Sequence, residues 1–188
     1  MYYWTAPEGS YTIEEFKQLP LEGRRWELLD GTVVRMEDHG LATSALTASL
    51  LCAMGHHVKE DQSGLILGPG CGFQLWPGSE TVRVTDISFT SNERLPPRRF
   101  WNDFPRNAPD LIVENFSPFE RFITAMDRIV MFLRAGTREA WFVDATTRMV
   151  TIYRPNEAPA VLSERDTPAG KDVLPGFSIL VGDIFAED

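Results

Sequence analysis

The fold is decided by residues 108–144, APDLIVENFSPFERFITAMDRIVMFLRAGTREAWFVD, where two short apolar runs flank one amphipathic segment. Residues 111–113 form a run typical of a strand buried on both faces, and this run ends on Glu114. Residues 140–143 form a second such run. Two buried strands separated by a helix-length segment predict a parallel strand–helix–strand unit.

The segment between the two runs carries the signals of a helix. Ser117 to Glu120 have the S-x-x-E pattern of a capping box, with a proline at the first helical position. Gly136 is typical of the residue just after a helix. Apolar residues recur between them at helical spacing, at Phe122, Met126, Ile129 and Leu133. These signals predict a helix over residues 118–135.

Length and composition indicate one globular domain over residues 1–188. The hydrophobic content is 43%, as in folded proteins with a sizeable core. The net charge of −9 argues against a protein that coats nucleic acid non-specifically, although it leaves room for a local basic cleft. Only Lys17, Lys59 and Lys171 are lysines, and the arginines that dominate favour bidentate phosphate contacts.

The sequence lacks the signals of a disulfide scaffold, a cysteine zinc site or a membrane protein. The two cysteines, Cys52 and Cys71, have no C-x-x-C spacing. Residues 1–10 lack a charged region followed by an apolar run, and no apolar run is long enough to span a bilayer. We therefore predict a cytoplasmic protein that does not contact membranes.

Further elements are predicted on both sides of the central stretch. A capping box at Thr12 predicts a short helix to about Leu19, and Asp30-Gly31 between two apolar runs predicts a β-hairpin. We predict a helix over 41–58, and strands over 65–67, 73–76, 82–89 and 149–153. The resulting fold class is α/β, a mixed α+β sheet with flanking helices and added β-hairpins.

Acidic residues in the predicted strands are candidates for metal ligands. Asp86 lies within strand 82–89 and Glu114 ends the run 111–113, so their carboxylates converge if these strands are neighbours. Two carboxylates with water ligands suit Mg²⁺, which can activate water and offset charge on a phosphoryl oxygen. The alternative for Glu114 is that it faces solvent at the end of its strand or pairs with an arginine. Glu27 is a third candidate acid in a strand, and its alternative is an outward-facing strand residue.

Residues 91–107 form a long loop in which arginines alternate with aromatic side chains. The residues concerned are Arg94, Arg98, Arg99, Phe100, Trp101, Phe104 and Arg106. Such a mixture can contact phosphates and stack on bases. The alternative is a surface loop that packs its own small aromatic cluster.

Six blocks extend over nearly the whole chain: TIEEFKQLP, RRWELLDGTVV, VTDISFTSNERL, APDLIVENFSP, FLRAGTREAWFVD and LPGFSI. Their identity and order resemble the Uma-two (Uma2) endonuclease family of the PD-(D/E)XK nuclease superfamily. The resemblance implies a restriction-endonuclease-like core and Mg²⁺-dependent or Mn²⁺-dependent cleavage of DNA. It also implies a homo-oligomer, which we expect to be a homodimer.

The resemblance also implies roles for individual residues. Asp86 and Glu114 match the two metal-binding acids of the family, and Glu27 matches the glutamate of its "ELIDG" block, an additional ligand or helper. The family's lysine on the helix before "YARAG" is replaced here by Arg128, and the aspartate often found one turn earlier is replaced by Thr124.

The replacement of lysine by Arg128 leaves two interpretations open. Arginine can hold a phosphate in a fork but cannot serve as a base, because it stays protonated. If Arg128 contacts the scissile phosphate, the chain is an active nuclease. If it only neutralises Glu114, the chain is a catalytically degraded relative that binds nucleic acid or assembles with other chains. A small-molecule phosphoesterase is a third alternative.

Overall fold

The structure is a computed structural model, and it describes residues 9–21, 25–170 and 172–185. The helices are α1 (Ile13–Phe16), α2 (Leu41–Asp61), α3 (Phe122–Arg134) and α4 (Val181–Ile184). The first six strands are β1 (Trp26–Leu29), β2 (Thr32–Arg35), β3 (Gly64–Leu67), β4 (Gly72–Gln74), β5 (Val82–Val84) and β6 (Ile87–Ser91). The others are β7 (Leu111–Phe116), β8 (Glu139–Asp144), β9 (Met149–Tyr153), β10 (Ala160–Leu162), β11 (Ala169–Gly170) and β12 (Leu174–Ser178).

The larger sheet has six strands in the order β10-β9-β8-β7-β6-β3. Strands β7 and β8 are parallel, with α3 between them in sequence, whereas the other neighbours are antiparallel. The predicted strand–helix–strand unit and the mixed sheet are therefore confirmed. Strand β7 continues two residues past Glu114, so this acid lies inside the strand rather than at its end.

The side chains of β7 alternate between two helices on opposite faces of this sheet. Ile112 packs with α3, and Val113 packs with α2. Glu114 hydrogen-bonds to α3, and Asn115 hydrogen-bonds to α2. This alternation follows from the two-residue period of a strand, and it brings polar groups to both helices at one end of the sheet.

A smaller sheet has the order β2-β1-β5-β4. Its β1–β2 hairpin turns at Asp30 and Gly31, which have φ values of 47° and 81°, as the predicted Asp-Gly turn requires. The prediction of one continuous strand over 82–89 was wrong, since β5 belongs to this sheet and β6 to the larger one. The break lies at Thr85 and Asp86, whose side chains bond to the backbone of β7 instead of leaving it to a regular ladder.

Three helix boundaries differ from the predictions by three residues or more. Helix α2 ends at Asp61 rather than at residue 58. The capping box at Thr12 is present, but α1 ends at Phe16 rather than near Leu19. Helix α3 begins at Phe122 rather than at residue 118, because Ser117 to Glu120 form a turn in which the Glu120 amide donates to the Ser117 carbonyl at 2.9 Å. The Glu120 carboxylate binds Arg128 and does not cap the helix.

None of the helices in the described part of the chain combines the length and apolar character needed to cross a bilayer. The expectation of a single domain over residues 1–188 stays a prediction.

Candidate active site

Glu114 is buried inside β7, two residues before the strand ends, and its carboxylate bonds to α3. Its Oε2 accepts a hydrogen bond from Arg128 Nη1 at 2.7 Å. Its Oε1 is also buried and has no hydrogen-bond partner in the described structure. Burial raises the pKa of Glu114 to about 8, with a further contribution from the nearby Asp86 carboxylate, although Arg128 and the nearby Thr85 hydroxyl oppose the rise. The Thr85 hydroxyl itself donates to the Ile87 and Val113 carbonyls. Glu114 is thus an acid whose charged form is incompletely stabilised.

Arg128 of α3 joins three carboxylates from different parts of the chain. Its Nη1 binds Glu114, its Nη2 donates to Glu120 Oε1 at 2.8 Å, and its Nε lies 3.5 Å from Glu27 Oε1. Burial opposes the charge, but these three carboxylates hold the pKa of Arg128 well above its usual value. Arg128 therefore stays charged. Its guanidinium group links the smaller sheet, through Glu27, to the larger sheet, through Glu114.

Glu27 of β1 is buried and fully bonded. Its Oε1 accepts from the Val84 amide at 2.9 Å, and its Oε2 accepts from Arg83 Nη1 at 2.6 Å. Arg83 in turn donates to the Met131 sulfur from two of its nitrogens. With both oxygens engaged by its own sheet, Glu27 serves as a partner that positions Arg128 and Arg83.

Asp86 lies at the junction of the two sheets and is 2% exposed. Its Oδ1 accepts a hydrogen bond from Arg25 Nη1, and its Oδ2 accepts from the Asn115 amide at 2.8 Å. His39 Nε2 lies 3.6 Å from Oδ1, and burial lowers the pKa of His39, so this ring is neutral at pH 7. Because Asn115 follows Glu114 directly, Asp86 is fixed beside the Glu114 backbone.

The four residues proposed from the sequence are thus brought together by the fold. Arg128 contacts Glu27 and Glu114, and Asp86 is bonded to the residue after Glu114. Sequence reasoning missed three partners, Arg25, Arg83 and Glu120. Glu120 was visible as part of the S-x-x-E pattern, but that pattern pointed to the wrong partner. No local signal identified Arg25 or Arg83.

The donor set fits a small divalent cation that prefers oxygen ligands. Mg²⁺ and Mn²⁺ bind carboxylate oxygens and water, and the unpaired Glu114 Oε1 is an available ligand atom. The other candidate ligand, Asp86, is held by Arg25, which is 21% exposed and also contacts the Glu37 carbonyl and His39 Nε2. Within the described ranges there is no cluster of three or more histidine, cysteine or acidic residues arranged for a metal. Of the residues in this site, the carboxylates of Asp86 and Glu114 would hold the ion, with water as the other ligands.

Comparisons with known proteins agree with this architecture. A crystal structure from Anabaena variabilis ATCC 29413, described as a "putative nuclease belonging to DUF820", has a TM-score of 0.78 and 22% sequence identity to this chain. The match covers 93% of this chain and 97% of the other, and it confirms the nuclease-like fold. No curated protein matches the chain. The profile of the Uma2 family, described as "Putative restriction endonuclease", matches residues 13–182, and the chain therefore belongs to this family.

Proposed function

We propose that this chain is a Mg²⁺-dependent or Mn²⁺-dependent endonuclease that hydrolyses phosphodiester bonds in DNA. Asp86 and Glu114 would bind the metal, Arg128 would contact the scissile phosphate, and Glu27 would position Arg128. The observation that carries the proposal is the buried, unpaired Glu114 Oε1 next to both Arg128 and Asp86. An oxygen left unpaired at such a cost in free energy suits a ligand that arrives later.

The metal, when bound, would lower the pKa of a coordinated water and offset charge on the phosphoryl oxygen. Glu114 must be deprotonated to act as a ligand, and its raised pKa means that metal binding releases a proton at neutral pH. Arg25 would have to leave Asp86 Oδ1. Arg128 would hold a phosphate oxygen by charge alone, because its raised pKa prevents proton transfer.

A second candidate function has one observation in its favour. Arg128 already occupies Glu114 Oε2 at 2.7 Å, with Glu120 on its other arm, so the ion pair itself can neutralise the site. The chain would then be a catalytically degraded nuclease-fold protein that binds nucleic acid or assembles with other chains. The homodimer and the cytoplasmic location expected from the sequence also stay predictions.

Plasmid cleavage by purified protein with Mg²⁺ or Mn²⁺ tests the first proposal. We expect cleavage by the wild type, and its loss in Asp86→Asn and Glu114→Gln, which remove ligand charge but keep side-chain shape. Glu60→Gln, which changes an exposed acid at the C-terminal end of α2, is the matched control and should cleave normally. Unchanged cleavage by both site variants would refute the assignment.

Arg128→Lys separates the two candidate functions. A lysine cannot bridge Glu114 and Glu120 as the guanidinium does, so the substitution loosens the neutralising contact. Cleavage that appears only in Arg128→Lys would identify the natural chain as the degraded form. A small phosphodiester substrate, tested in parallel, would reveal a phosphoesterase if it is hydrolysed faster than the plasmid.

A further inference from the structure

The loop between β6 and β7 exposes two large aromatic side chains, each with an arginine over its ring. Phe100 is 48% exposed and Trp101 is 45% exposed. The Arg98 guanidinium lies 5.1 Å from the Trp101 ring centroid, and the Arg99 guanidinium lies 4.8 Å from that of Phe100. An aromatic face paired with a cation, both reachable by solvent, is the combination that contacts bases and phosphates together.

This surface is held in place by hydrogen bonds from within the loop. Residues Arg98–Phe100 form a 3-10 turn, and Trp101 Nε1 donates to the Pro96 carbonyl at 3.0 Å. At the start of the loop, Arg94 donates to Asp110 Oδ1 at 3.0 Å and to the Ala108 carbonyl at 2.7 Å. The exposed rings are therefore preorganised, which lowers the entropy lost when a ligand binds.

The charge of the loop is opposite to that of the chain as a whole. Residues 93–106 contain four arginines and two acids, a net charge of +2, whereas the whole chain has a net charge of −9. Arg94 is ion-paired with Asp110, but in the described structure no carboxylate lies within ion-pair distance of Arg98 or Arg99. These two charges are available to an anionic partner.

An apolar cavity of about 150 Å³ lies under the same aromatic residues. Its walls include Leu65, Leu67, Phe73, Leu95, Phe100 and Trp101. Arg106, Arg94 with its ion pair to Asp110, and the acid Asp103 also line it. The aromatic surface is thus continuous with an apolar recess that has polar groups at its edge, a shape that suits a flat, uncharged base.

We propose that the loop binds an unpaired, single-stranded segment of DNA, with Trp101 and Phe100 stacking on bases and Arg98 and Arg99 contacting phosphates. The choice of DNA rests on the proposed function. Stacking on exposed rings needs bases that are not already stacked in a duplex, so the surface selects single strands. The loop begins and ends at Ser91 and Asp110, at the end of the larger sheet opposite to Asp86 and Glu114. It would therefore hold the strand at a distance from the cleavage site.

Fluorescence anisotropy of labelled oligonucleotides in chelator, where no cleavage occurs, tests this inference separately from the nuclease proposal. We expect tighter binding of a single strand than of the same sequence as a duplex. Trp101→Ala should weaken single-strand binding about 5- to 150-fold, as the loss of one base stack does. Trp101→Phe should keep most of the affinity, because a ring remains. Arg165→Ala, at an exposed arginine between β10 and β11, is the control and should bind as the wild type does.

Two further readouts distinguish direct contact from an indirect structural effect. Intrinsic tryptophan fluorescence should be quenched by the single strand in the wild type and much less in Trp101→Phe. Arg98→Ala should reduce the slope of log affinity against log salt by about 0.7, the value for one phosphate contact on a single strand. Equal affinity of wild type and Trp101→Ala for the single strand would overturn the inference. The inference would also be overturned if Trp101→Ala dissociated a dimer without changing the affinity for DNA, because the loop would then be an interface between two copies of the chain.

Discussion

Strand β7 has a buried acid near each end, and the two acids differ in how completely they are bonded. Asp110, just before the strand, accepts from the Ser91 amide at 2.9 Å and from Arg94 at 3.0 Å, and Arg138 lies 3.6 Å away. Burial acts to raise the pKa of Asp110, but these partners lower it overall. Glu114, at the other end, has one unpaired oxygen and a raised pKa. Burial alone therefore does not distinguish the proposed metal ligand Glu114 from the structural acid Asp110, whereas the incomplete set of partners of Glu114 does.

The largest expected effect on stability is at Asp110. Asp110→Ala would leave the partly buried Ser91 amide and the arginines without their acceptor. We expect the free energy of unfolding to fall by about 2–4 kcal/mol, less than for a fully buried pair because Arg94 and Arg138 are partly exposed. Urea unfolding measures this change, with Glu93→Ala as the exposed control. A loss below about 0.5 kcal/mol, the range of ordinary surface substitutions, would contradict a structural role for Asp110.

At Arg128 the expected effect on stability is intermediate. Arg128→Lys keeps the charge but loses the fork that binds Glu114 and Glu120 together. We expect a loss of about 1–3 kcal/mol in urea unfolding, the range for buried hydrogen bonds between charged groups. An unchanged free energy of unfolding would mean that the ammonium group of lysine satisfies both carboxylates, and that the guanidinium group of Arg128 is not required to hold them together.

The smallest expected effect is at Glu114. With a pKa of about 8, this carboxyl is largely protonated at pH 7 in the metal-free protein, so the neutral Glu114→Gln is a close substitute. Arg128 keeps its contacts with Glu120 and Glu27. We expect a loss of less than about 1 kcal/mol at pH 7 without metal. A loss as large as that of Asp110→Ala would show that Glu114 is structural.

The same pKa predicts a pH dependence. Between the ordinary value of 4.5 and about 8 the folded state holds a proton on Glu114 that the unfolded state has lost. This contribution to stability is present below the ordinary pKa and is lost as the pH rises through the folded one. Urea unfolding in chelator should therefore show the wild type losing stability relative to Glu114→Gln as the pH rises toward 8. A constant difference between the two proteins would contradict the raised pKa.

The contrast within β7 also shows what the sequence can predict. The apolar runs on either side of α3 predict the parallel pair, because strand burial leaves a clear pattern in local sequence. The Asp-Gly turn is predictable for the same reason. The hydrogen bonds of Asp110 and the division of the predicted strand 82–89 into β5 and β6 cannot be predicted from local sequence, because both depend on partners that are distant in the chain.

The candidate site shows the same limit. Family motifs single out Asp86, Glu114 and Arg128, but no local pattern shows that Arg25 binds Asp86. Glu120 fits a capping box in sequence, yet in the fold its carboxylate binds Arg128, because a buried guanidinium stabilises it more than a helix end does. The sequence alone therefore does not predict which acid keeps an unpaired oxygen, because this depends on how the whole cluster assembles.

The central claim is that Glu114 and Asp86 form a metal site, and calorimetric titration of Mg²⁺ or Mn²⁺ into the metal-free protein tests it most directly. We expect binding by the wild type and by the exposed-acid control Glu60→Gln, and no binding by Asp86→Ala. The titration should be repeated with a non-cleavable DNA, which supplies a phosphate oxygen as a further ligand. Equal binding by wild type and Asp86→Ala, or no binding by the wild type with or without DNA, would contradict the account.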